Sequence, residues 1–79
     1  NGLTRRCDLL LYWPDGRIKL VVECKRPEVK INQETFDQIA RYNSTLKSDF
    51  LMVTNGLSHY YCAINKDNNG YQFLKELPI

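Results

Sequence analysis

Apolar positions along the chain fall into five short runs and one helical stripe. Cys7 to Trp13 and Ile18 to Lys25 are strand-length apolar segments separated by Pro14-Asp15-Gly16-Arg17. Two such runs around Asp-Gly predict a β-hairpin, because a tight turn that needs positive φ is best met by Asp or Asn followed by Gly. Arg26-Pro27-Glu28 ends the second strand. From Asn32 to Lys47 the period becomes helical, with Phe36, Ile39, Ala40, Asn43 and Leu46 on one face. Asn32 suits the N-cap, and Glu34 and Asp37 stand near the positive end of the helix dipole. Phe50 to Thr54 is a continuous apolar run closed by Asn55-Gly56, the pattern of a strand buried within a sheet. Strand, helix and strand in succession predict a right-handed crossover that sets the third strand parallel to the second. His59 to Ile64, a turn over Asp67-Asn68-Asn69-Gly70, and Tyr71 to Leu74 read as a closing hairpin. The expected fold class is α/β, a mixed five-strand sheet with one main helix in a single domain over residues 1–79.

Register then brings chemistry into view. A two-residue turn at Asp15-Gly16 would set Tyr12 opposite Lys19, Leu10 opposite Val21, Asp8 opposite Glu23 and Arg6 opposite Lys25. Alternation along the strands puts Arg6, Asp8, Glu23 and Lys25 on one face. Two carboxylates roughly 5 Å apart repel each other by on the order of 3 kcal/mol at an effective dielectric of about 20. Arg6 and Lys25, a shared proton, or a divalent cation held between the acids would each offset that repulsion. A Thr or Val pair would serve the sheet better, so folding alone does not account for the acids. A surface charge quartet at a hairpin end remains the structural alternative.

Composition narrows the field. At 79 residues the chain has room for one small domain, and 43% apolar with 25% charged residues is globular rather than disordered or membrane-embedded. No apolar run approaches the roughly 20 residues of a membrane span. A net charge of +2 is too mild to indicate a polyanionic partner by itself. Cys7, Cys24 and Cys62 are odd in number and widely spaced, which predicts neither a disulfide framework nor a Cys-x-x-Cys zinc site and points to a reducing cytoplasm. The chain starts without Met or a signal segment, so a piece of a longer protein is expected. Arg5, Arg6, Arg26 and Lys30 cluster around the acids and are candidate contacts to DNA phosphates, with a solvated basic edge as the alternative. His59 has no His or Cys at ligand spacing and reads as a strand residue.

The order of these residues resembles the PD-(D/E)xK nuclease signature: Asp8, then fourteen residues, then Glu23-Cys24-Lys25 on the adjacent strand, then Gln38 and Tyr42 as a Gln-x-x-x-Tyr motif on the following helix. The strings VVECKRP, NQETFDQIARYN and LMVTNGLSHYYC resemble the amino-terminal nuclease domain of the restriction (R) subunit of type I restriction enzymes. The resemblance implies a restriction-endonuclease-like sheet, here without the usual leading helix and first strand, and Cys7 stands where the motif's name has Pro. It implies Mg²⁺, with Mn²⁺ as substitute, held by Asp8, Glu23 and the main-chain carbonyl of Cys24. Lys25 would act on the attacking water or on phosphate charge, and Gln38 and Tyr42 would support it. DNA and the modification and specificity subunits of a type I system are the implied partners. A catalytically inactive nuclease-fold module for DNA binding or protein interaction is the alternative. No Gly-rich Lys-Ser/Thr phosphate loop is present, so no motor is expected within these residues.

Overall fold

A computed structural model describes residues 9–68 and 70–78. The described residues form strands β1 (Leu9–Tyr12) and β2 (Ile18–Cys24), helix α1 (Gln33–Tyr42), and strands β3 (Phe50–Thr54), β4 (His59–Asn65) and β5 (Gly70–Leu74). The five strands lie side by side in the order β1-β2-β3-β4-β5. Only β2 and β3 pair in parallel, and α1 is their crossover, as the strand-helix-strand pattern predicts. The other three ladders are antiparallel.

The first hairpin departs from the expected two-residue turn. Gly16 N–H donates to Trp13 C=O at 2.9 Å, and Trp13 N–H donates to Arg17 C=O at 2.8 Å, so the loop is Pro14-Asp15-Gly16. Gly16 takes the left-handed conformation at φ 94°, the geometry of a turn closed by a bulge, with Pro14 at its preferred second position. Tyr12 consequently faces Ile18 rather than Lys19. A second irregularity follows, and the partners Leu11↔Leu20, Leu10↔Val21 and Leu9↔Val22 return to the expected register. The expected pairs of Arg6 and Asp8 lie outside the described residues.

The helix also ends sooner than its periodicity suggests. Asn32 accepts from Thr35 N–H at 2.8 Å and caps the start as expected. At the other end the Asn43 side chain donates to Ile39 C=O at 2.9 Å and the Ser44 hydroxyl to Arg41 C=O at 2.8 Å. These short polar side chains bond to the helix's own carbonyls, and the chain tightens into a 3₁₀ turn over Asn43–Leu46 before Lys47 at φ 56°. Leu46, expected on the apolar stripe, is 38% exposed as a result.

The core lies between α1 and the sheet. Val21, Leu51, Val53 and Cys62 meet Phe36 and Ile39, with Ile31, Ala40, Ile64 and Tyr71 around them. Burial pushes the Cys62 thiol up to about 12. Cys24 is disulfide-bonded, against the expectation of no disulfide. The number and spacing of cysteines do not by themselves register which side chains strand pairing sets opposite each other.

Asp49 closes the end of the sheet opposite Glu23. Its carboxylate accepts from Trp13 Nε1 at 2.6 Å and from Lys66 Nζ at 2.5 Å, joining the first hairpin to the start of β3 and the end of β4. The Lys66 contact, followed by that of Trp13, holds the Asp49 carboxyl below its usual range despite partial burial. A folded-state value below the ordinary one adds stability above about pH 4 that disappears as pH falls through the lowered value. Asp49→Ala is therefore expected to cost about 1.5–3 kcal/mol near neutral pH, with the gap from the parent narrowing in acid, as read by urea unfolding across pH.

Candidate functional site

β2 delivers Glu23 and Lys25 to the end of the sheet from which the crossover departs. Cys24 pairs with Thr54, and Lys25 N–H continues the ladder by donating to Thr54 C=O at 2.8 Å. The next residues are held as well. Asn55, 7% exposed, donates to Val29 C=O at 2.8 Å and accepts from the N–H groups of Leu57 and Ser58 at 2.9 and 2.8 Å. One buried amide thus ties the segment after Lys25 to the β3–β4 loop.

Glu23 is the buried acid of this region, with its side chain 3% exposed. Lys25 Nζ stands 3.7 Å from its Oε2, and Asn43 Nδ2 stands 3.5 Å from its Oε1. Burying a carboxylate carries a desolvation cost of several kcal/mol that paired and hydrogen-bonded neighbours offset. Lys25 itself is 31% exposed, so the pair has one dry member and one in reach of solvent.

Glu23, Lys25, Gln38, Ile39 and Tyr42 line a cleft of about 380 Å³. Four residues singled out in the sequence, Glu23, Lys25, Gln38 and Tyr42, are therefore brought together by β2 and α1. Gln38 and Tyr42 reach it because residues four apart share one side of a helix. Tyr42 is 74% exposed, so little of its ring is needed for packing.

Other expected residues do not join them. Arg26 makes an exposed ion pair with Glu28 at 3.6 Å, and neither Arg26 nor Lys30 lines the cleft. Asp8, Arg5 and Arg6 lie outside the described residues. The described ladder stops at Leu9↔Val22, one position short of Asp8 and Glu23. Among the described residues no three His, Cys, Asp or Glu side chains form a metal-binding group. His59 bonds to Thr54 Oγ1 at 2.6 Å, in keeping with a strand residue. Among the described residues no helix is long and apolar enough to cross a membrane.

Sequence reasoning missed Asn43. Period alone puts it on the apolar stripe, yet a polar residue on such a stripe is a signal, since a half-buried amide needs partners.

Residues 1–78 match the family model described as type I restriction enzyme R protein N terminus (HSDR_N). No curated protein and no solved structure matches the chain.

Proposed function

The chain belongs to the family of the type I restriction enzyme R protein N terminus, and from that premise we propose that it is a Mg²⁺-dependent DNA endonuclease domain hydrolysing phosphodiester bonds. The observation that supports this most directly is the buried Glu23 carboxylate beside Lys25, in a cleft that Gln38 and Tyr42 share. A buried carboxylate lining an open cleft suits Mg²⁺, which takes one or two carboxylates and keeps several waters. Glu23 would hold the ion with Asp8 and the Cys24 main-chain carbonyl, and Mn²⁺ would substitute. When bound, the ion supplies positive charge against the phosphate and the departing oxyanion.

The protein's own groups then have separate tasks. Lys25 Nζ, kept at the cleft by Glu23, orients the attacking water and offsets charge gathering on the phosphate. The Gln38 amide and Tyr42 hydroxyl donate to phosphate oxygens from the helix side. Arg26 and Lys30, with Arg5 and Arg6, meet neighbouring phosphates, contacts that fix position without reading bases. The Arg26–Glu28 pair is exposed and gives way at little cost. Target choice falls to partner specificity and modification subunits, since no base-reading element is needed for this chemistry.

Nicking of supercoiled plasmid by the chain tests the reading. Nicked circles are expected with Mg²⁺ or Mn²⁺ and none after chelation, and Lys25→Ala is expected to slow nicking about 10²–10⁴-fold. Equal nicking by parent and Lys25→Ala, or none with either ion, would overturn it in favour of a non-catalytic module.

A further inference from the structure

Asn43 stands immediately after the Gln-x-x-x-Tyr motif, at the point where α1 gives way to the 3₁₀ turn. Its side-chain NH₂ carries two protons and faces two acceptors. Ile39 C=O, in the last turn of α1, lies at 2.9 Å, and Glu23 Oε1 lies at 3.5 Å. The backbone N–H of Asn43 also turns back on the helix, toward Arg41 and Ile39 carbonyls. The amide is thereby fixed from its own element before it meets the carboxylate. On the other side of that carboxylate, Lys25 approaches Oε2. Glu23 is gripped by a helix end at one oxygen and a strand neighbour at the other.

We propose that Asn43 is a positioning residue, whose amide links the end of α1 to Glu23 and holds that carboxylate in the orientation from which it takes a divalent cation. The proposal rests on the nuclease reading for the cation but not for the contact itself. Groups hydrogen-bonded to a metal-binding carboxylate orient it, and their loss typically weakens metal affinity about 10–100-fold. The same link gives Gln38 and Tyr42 a fixed height over the cleft, because the helix that carries them is tied to the acid they face.

Two measurements separate the contact from its use. In metal-free protein, a double-mutant cycle over Asn43→Ala and Glu23→Met, the latter removing the acceptor at similar volume, read by urea unfolding, is expected to be non-additive by about threefold or more in the folding equilibrium constant. With Mn²⁺ followed by electron paramagnetic resonance, Asn43→Ala is expected to bind about tenfold more weakly than the parent, and Asn43→Gln, which keeps an amide donor, to recover part of that loss. An additive cycle, or Asn43→Ala binding Mn²⁺ like the parent, would overturn the proposal. A parent chain that binds no Mn²⁺ alongside a non-additive cycle would instead sink the nuclease reading and leave the Asn43–Glu23 link standing.

Discussion

Replacing Glu23 by Gln is expected to slow Mg²⁺-dependent nicking by about a thousandfold or more, roughly 4 kcal/mol of barrier, while leaving the fold as stable as the parent or more so. The two signs come from one fact. Glu23 is 2% exposed, so folding strips its carboxylate of water, and for a buried charge that cost can exceed what its partners return. Gln has nearly the same shape and no charge, and its carbonyl still accepts from Asn43 or Lys25. Lys25, with 31% of its side chain exposed, regains hydration when its partner is neutral. A buried carboxylate lining a cleft beside a lysine is a candidate for chemistry as well as for folding. Nicking rates and thermal unfolding of the same two proteins decide the matter. A variant that cuts like its parent would remove Glu23 from the chemistry, and one that unfolds tens of degrees lower would make it a structural residue.

Much of this arrangement can be read from the chain, and the exceptions share a cause. The strands announce themselves because each is a compact apolar run, and α1 begins where Asn32 can cap it. Glu23, Lys25, Gln38 and Tyr42 converge because alternation on β2 and a spacing of four on α1 are local rules that survive folding. Local rules fail where side chains compete with the backbone or act at long range. Asn43 and Ser44 bond to the helix's own carbonyls and end it early, which a count of apolar positions cannot register. Pro14 and Gly16 favour a three-residue loop, and the later irregularity near Tyr12 restores the ladder by a compensation invisible in the turn itself. Asp49 finds Trp13 and Lys66, 36 positions upstream in the first case, only once β3 has been laid between the two hairpins. Asn55 looks like half of a turn signal and proves to be a buried anchor, holding a segment that precedes it by a whole helix.

Phe36→Ala is expected to produce the largest loss of stability, about 3–5 kcal/mol, which for a domain of this size approaches the whole of its folding free energy. Among the described residues Phe36 is the largest fully buried side chain, at 1% exposure, and its ring packs α1 against the last strand of the sheet. Its ring lies 5.1 Å from that of Tyr71 and 4.9 Å from that of Phe73, both on β5. Around this contact the Tyr71 hydroxyl bonds to Asp37, and Gln33 Nε2 donates to the same hydroxyl at 2.6 Å. Burial, then the Asp37 carboxylate, pushes the Tyr71 phenol up to about 12. A phenol raised above its ordinary value of 10 stabilises the fold below that pH, and the contribution is lost as pH rises through about 12. Removing the Phe36 ring leaves a cavity beneath this network, so the variant is expected both to unfold at much lower urea and, where still folded, to release Tyr71 to ionise closer to pH 10. Ultraviolet titration of the tyrosines reads the second effect separately from the first. Nicking should fall with the folded fraction and no further, because Gln38 and Tyr42 depend on the helix being docked and not on Phe36 itself. Activity lost well beyond the unfolded fraction would place Phe36 in the cleft's chemistry, and a stability loss under about 1 kcal/mol would mean that the helix is anchored elsewhere.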